Sequence, residues 1–307
     1  MIEARHLTKY FDDFLAVESA SFHVPAGNVL ALLGPNGAGK TTTVRMLTSI
    51  LKPTSGTASV AGYDIVTQPD QVRASVGVLT EHHGLYLRTS GEEYLDFFGD
   101  IYGVSKDVRR KRIKNLLERF GLADAGDRHI GGYSKGMRQK LALIRSMLHD
   151  PPVLLLDEPT SAMDPQSAKQ VRDAIADLRQ DNRAIILCTH NLAEAEELAD
   201  SIAIVRKGRI IALGNPDALK DQLLGAKEME MRLAASFNGV GDTVSDLVTI
   251  VARGDSSFRY RAENFDRTNP ILIKRLLDQN APIVSLTEVP RSLEAVYLRA
   301  VEEDEAS

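Results

Sequence analysis

The chain has 307 residues, 43% apolar and 26% charged, with a formal net charge of −5. That composition is globular, the length predicts one large domain plus a smaller one, and the acidic balance argues against a sequence-independent nucleic-acid binder, which needs a basic surface. A single cysteine, Cys188, excludes an intrachain disulfide, and apolar runs such as Val29–Leu33 fall far short of the roughly 20 residues a membrane-spanning helix takes.

The N-terminus MIEARHLTKYF carries charges and lacks the apolar stretch of a secretory leader, so a cytosolic chain is expected, with any membrane role coming through a partner. Up to about residue 80 the chain reads as short strands: Val17–Val24, a Pro25-Ala26-Gly27-Asn28 turn, a buried strand Val29–Leu33, and Thr57–Ala61. A helix is predicted over Thr41–Leu51, stopped by Lys52-Pro53. Between about 92 and 149 the texture turns helical. Ile113, Leu116, Leu117 and Phe120 share a face before Gly121, and a second helix runs from Ser134 to His149 until Pro151-Pro152 ends it.

Strand and helix then alternate: Val153–Asp157, Pro165–Leu178, Ala184–Thr189, Asn191–Ala199, and a hairpin at Lys207-Gly208. Such alternation implies a mainly parallel sheet that binds ligands at the carboxyl ends of its strands. The stretch 85–150 reads as a helical insertion. From about 226 to 307 a small α+β domain is expected: a strand at Met229–Leu233, a helix over 270–279, a strand over 282–287 and a helix over 292–301.

Gly34-Pro35-Asn36-Gly37-Ala38-Gly39-Lys40-Thr41-Thr42 fits G-x-x-x-x-G-K-[ST] between a strand and a helix. Phosphate oxygens need several N–H groups aimed at one spot, and glycines at 34, 37 and 39 let the backbone curl that closely. Lys40 reaches terminal phosphates, Thr41 is suited to ligate Mg2+, and the following helix adds its dipole. The apolar strand Val153–Leu156 delivers Asp157 and Glu158 at its carboxyl end. Asp157 suits Mg2+, directly or through water, and Glu158 suits a general base for an attacking water.

Beside these motifs stands Tyr133-Ser134-Lys135-Gly136-Met137-Arg138-Gln139, with Ser134 placed 23 residues before Asp157. Over roughly residues 2–220 the sequence resembles the nucleotide-binding subunits of ABC transporters, whose signature is most often L-S-G-G-Q. Tyr133, Lys135 and Met137 depart from that wording; Ser134 and Gly136 keep it. The resemblance implies a P-loop NTPase of ABC type, spanning residues 1–220, with an antiparallel β subdomain and the helical insertion, and binding ATP and Mg2+. It implies that Ser134 and Gly136 bind the ATP held by a second copy of the chain, so that two chains meet antiparallel around two ATP molecules. A plain helix cap remains the other reading of Ser134.

Further positions follow from the same resemblance. Phe11 matches the aromatic that stacks on adenine, with Tyr10 as rival; Ser161-Ala162-Met163-Asp164 matches the loop that touches the partner's site; His190 matches the switch histidine at the terminal phosphate. Glu81 stands where the family has a glutamine linking Mg2+ to the membrane partner. Segment 81–105 would dock an integral membrane permease at the cytoplasmic face. The Y-S-K-G-M wording and the tail Val289-Pro290-Arg291-Ser292-Leu293-Glu294-Ala295-Val296-Tyr297 resemble bacterial exporters whose membrane half is a separate chain. A soluble ABC ATPase acting on nucleic acid or ribosomes is the alternative. The sequence offers it no coiled-coil insert, no zinc cysteines and no tandem nucleotide domain.

Overall fold

A computed structural model describes residues 1–80, 84–161, 163–235 and 244–306. In chain order the first elements are β1 (Ile2–Phe11), β2 (Phe14–Val24), β3 (Val29–Leu33), α1 (Lys40–Leu47), β4 (Ser55–Val60), β5 (Tyr63–Asp64), α2 (Pro69–Ala74) and β6 (Val76–Leu79). A helical block follows: α3 (Gly91–Ile101), α4 (Lys106–Arg119) and α5 (Lys135–Met147). Then come β7 (Val153–Asp157), α6 (Pro165–Gln180), β8 (Ala184–Thr189), α7 (Leu192–Leu198), β9 (Ser201–Arg206) and β10 (Arg209–Gly214).

Two sheets organise these strands. One is antiparallel, in the order β2-β1-β4-β5; the other runs β10-β9-β3-β8-β7-β6 and is parallel from β9 to β6. In β3, β7 and β8 every residue is buried. Their unbroken apolar runs have a simple cause: successive side chains serve opposite faces, and both faces are covered. Leu154, Leu156, Ile185 and Leu187 join the core shared with α5 and α6, whereas Val153, Leu155, Ile186 and Cys188 join the core shared with α1 and the antiparallel sheet.

Helix starts are set by short polar side chains. Ser90 caps α3 in a reciprocal box, accepting from Glu93 N at 3.2 Å while Glu93 Oε2 accepts from Ser90 N at 2.8 Å. Asn191 caps α7 by accepting from Ala193 N and Glu194 N. Helix α1 stops at Leu47, a turn earlier than the sequence suggests. Ser49 takes a left-handed φ of 58°, and Ile50 N and Leu51 N both turn back to Arg45 O.

The described structure divides into two compact units, Met1–Pro216 together with the segment from Ala300, and Asp217–Arg299. The sequence reading runs the second domain to residue 307. Instead, the end of the last helix belongs with the first unit, because Asp304 accepts from Arg206 Nη1 at 2.9 Å and Arg209 Nη2 at 2.7 Å. The second unit contains β11 (Met229–Leu233), β12 (Thr249–Arg253), β13 (Ser257–Arg261), α9 (Phe265–Asp278) and β14 (Ile283–Glu288), with a four-stranded antiparallel sheet in the order β12-β13-β11-β14. The remaining helices in chain order are α8 (Pro216–Leu224) and α10 (Leu293–Ala306). Helix α9 begins before Pro270 because Asn264 caps it from Arg267 N, and the proline is carried inside the helix.

Candidate active site

The carboxyl ends of β3, β8 and β7, three neighbours in the parallel sheet, deliver the loop 34–42, His190 and the pair Asp157-Glu158 respectively. Residues far apart in the chain therefore surround one cleft of about 260 Å3, lined by Phe14, Ala16, Asn36 to Thr42, Asp157 and Glu158.

Backbone geometry makes the loop. A side-chain carbon at Gly34 would sit 2.2 Å from Val205 O, and one at Gly39, where φ is +105°, would sit 2.6 Å from Ala16 O. Both positions therefore need glycine for close approach, and Gly39 for its left-handed backbone as well. The first intrahelical bond of α1 is Thr43 N to Gly39 O at 2.9 Å, so the N–H groups of Gly39 to Thr42 have no acceptor within the helix. Those N–H groups and the helix dipole favour an anion. The Lys40 ammonium is buried and donates to Gly34 O at 2.7 Å and Pro35 O at 3.1 Å, which leaves one of its three N–H donors for a ligand.

Thr41 Oγ1 donates to Asp157 Oδ2 at 2.9 Å. A hydroxyl and a buried carboxylate are hard oxygen donors, the kind Mg2+ takes in ones and twos beside phosphate oxygens. The donor set thus fits the ion, which would bring charge neutralisation to the phosphates. Glu81, the third expected contact to Mg2+, lies outside the described residues, as does Ala162 of the Ser161–Asp164 loop.

Glu158 stands apart in conformation. Its φ of 51° is left-handed, a strained setting for a residue with a side chain, and its N–H is fixed to Cys188 O at 2.9 Å. Its Oε1 lies 2.7 Å from His190 Nδ1. An ionised carboxylate only accepts, so Nδ1 carries the hydrogen and Nε2 is left for another partner. The structure brings Lys40, Thr41, Asp157, Glu158 and His190 together.

Ser134 and Gly136 are not among the residues lining that cleft. Ser134 is the N-cap of α5, and its Oγ accepts from Met137 N at 3.2 Å; its hydroxyl hydrogen stays available. Gly136 lies against the start of α6, where an added carbon would meet Ser167 Oγ at 3.1 Å. Asp164 caps that start, and the hydrogen bonds from Ser167 hold its carboxyl below the usual range. Phe11 is 41% exposed and does not line the cleft; Phe14, its partner across the β1–β2 hairpin, does. The sequence reading passed over Phe14, although the two-residue Asp12-Asp13 turn between aromatics was its signal. It also passed over Glu194, which accepts from Thr160 Oγ1 at 2.7 Å. Burial pushes the Glu194 carboxyl up, against hydrogen bonds from Thr189 and Thr160 that pull it down.

The phosphate loop, the acids at the end of β7 and the capped α5 beside them define an ATP-hydrolysing domain of the ABC class. The ABC transporter family model matches residues 17–161. The chain is 41% identical to the daunorubicin/doxorubicin resistance ATP-binding protein DrrA of Streptomyces peucetius, over 76% of this chain and 70% of that one. To the uncharacterized ABC transporter ATP-binding protein YxlF of Bacillus subtilis strain 168 it is 39% identical, over 98% and 99% of the two chains. A solved ATP-binding subunit of an ABC transporter superposes with a TM-score of 0.68 at 30% identity, over 73% of this chain and 94% of that one. This chain belongs to the ATP-binding subunits of ABC transporters and is an ATPase of that family.

Proposed function

We propose that the chain powers export through a separate membrane protein, by closing as a pair of copies around two MgATP and opening on hydrolysis. The observation that carries this reading is the separation within one chain: Lys40, Thr41, Asp157 and Glu158 line one cleft, with His190 hydrogen-bonded to Glu158, and Ser134 and Gly136 do not line it. In this reading Ser134 and Gly136 of one copy meet the terminal phosphate held by the other. Lys40 and the loop N–H groups bind the phosphates, and Thr41 and Asp157 hold Mg2+. Glu158 takes a proton from the attacking water, and His190 contacts the terminal phosphate. Phe11 or Phe14, at the tip of one hairpin, stacks on the adenine. Hydrolysis removes the phosphate contacts that join the two copies, which makes the nucleotide a switch.

The membrane partner is assigned to the face around α3. Tyr86, Leu87, Phe97, Ile101 and Tyr102 are exposed there, and Tyr86 packs edge-on against Phe97 at 6.1 Å. Exposed apolar patches of this kind mark interaction sites. Leu85 belongs to the core packing, so Tyr86 and Phe97 are the better probes. Export is supported by relatives named for daunorubicin and doxorubicin resistance.

The test is recovery of tagged Glu158→Gln protein with MgATP from detergent-solubilised native membranes, beside the same protein carrying Tyr86→Asp and Phe97→Asp. The reading predicts stoichiometric recovery of one polytopic membrane protein and its loss with the two added substitutions. Recovery of ribosomes or nucleic acid would overturn it in favour of a soluble ABC ATPase.

A further inference from the structure

Glu194 is the third residue of α7 and is only 1% exposed. A carboxylate so buried is costly unless hydrogen-bonded. Its partners are two threonine hydroxyls: Thr160 Oγ1 donates to Oε1 at 2.7 Å, and the Thr189 side chain donates as well. Thr189 is fully buried, and its Oγ1 in turn accepts from Asn191 N at 3.0 Å. Thr160 follows Glu158 by two residues, and Thr189 immediately precedes His190.

We propose that Glu194 is the positioning residue that sets the contact between Glu158 and His190. One buried carboxylate holds the hydroxyl of the residue two after the acid and that of the residue just before the histidine. The opposite side of the frame is closed by Glu158 N donating to Cys188 O at 2.9 Å. With both ends tied, the left-handed turn at Glu158 and the strand end at Thr189 keep a fixed separation, and Oε1 meets Nδ1 at 2.7 Å. This assignment rests on Glu158 and His190 acting together in hydrolysis. Lys40 and Thr41 take no part in the frame, so it acts on the chemical step far more than on nucleotide binding.

Its test is steady-state ATP hydrolysis by the full-length chain carrying Glu194→Gln, Thr160→Val, Thr189→Val and the pairwise combinations, with Glu158→Gln and His190→Ala as references. Replacing a charge-assisted acceptor by an amide lowers kcat about tenfold, with KM for ATP within about twofold of the parent. Because the three side chains act as one unit, Glu194→Gln combined with Thr189→Val falls little further than either alone. A general loss of folding would lower Tm and move KM and kcat together, which this split distinguishes. Should Glu194→Gln fail to fold, the threonine variants carry the same test from the other side. Parental kcat in the Glu194 and threonine variants, with turnover lost in Glu158→Gln and His190→Ala, would overturn the positioning role alone. Full turnover in both references would overturn the pair and the positioning role with it.

Discussion

Thr41 and Asp157 lie 116 positions apart and share a hydrogen bond of 2.9 Å. Either alone is an unremarked polar residue; together they form the corner where Mg2+ chemistry fits. Thr41→Val is therefore expected to remove the part of ATP affinity that depends on Mg2+ and to keep the Mg2+-free part, a difference that titration calorimetry with and without chelator measures. A second residue-scale effect comes from His149. Its Nε2 donates to Val76 O at 3.2 Å, and its ring packs on Tyr102 at 4.4 Å. Its Nδ1 is buried with no hydrogen-bond partner among the described residues. Burial holds its pKa below the ordinary value of 6.5, with Arg112 and Arg183 adding to the effect and Val76 O and Asp150 opposing it. The neutral ring stabilises the fold fully above that ordinary value, and the contribution is lost as pH falls below it, because the unfolded chain takes the proton first. Replacing it with glutamine keeps the donor to Val76 and removes the titration. The fall in Tm between about pH 7 and about pH 5.5 is expected to be smaller in His149→Gln than in the parent. The loop residues were legible in the sequence because only glycines and a lysine at that spacing can wrap a phosphate. Glu194 was not, since an acid in the first turn of a helix reads as an ordinary exposed residue.

Among the elements, β3, β7 and β8 coincide with the strands read from their apolar runs, because burial on both faces leaves no other pattern. The strands β12 and β13 escaped notice: β12 has no buried residue to set a period, and the alternation in β13, with Phe258 and Tyr260 buried, lasts only five residues. Tyr133, which stands where the family signature has leucine, has a structural cause. Its hydroxyl donates to Ala125 O at 2.6 Å, inside the helical block. A carbon added at Gly91, the first residue of α3, would lie 2.3 Å from that same hydroxyl oxygen. Tyrosine at 133 thus depends on glycine at 91. Gly91→Ala alone should destabilise the protein by about 1–3 kcal/mol through overpacking, and Tyr133→Leu in the same chain should recover most of it. A double-mutant cycle on denaturant midpoints measures the coupling; additive losses would contradict it.

At the scale of the whole chain, topology brings the site together. Strand order 10-9-3-8-7-6 makes neighbours of segments read separately along the sequence, and it puts the loop, His190 and the two acids at the same end of one sheet. The alternation of strand and helix foretold a parallel sheet with ligands at that end, but not which strands adjoin. The proposed docking face was legible only as the segment 81–105, by resemblance; that Tyr86, Phe97 and Ile101 are the side chains it exposes follows from the structure. In the proposed two-chain arrangement each chain holds half of each site. Static light scattering on purified Glu158→Gln protein tests it most directly, with saturating MgATP, with MgADP and with neither. A dimer mass with MgATP and a monomer mass in the other two conditions is the predicted result. A monomer with MgATP fully bound would contradict the two-chain site.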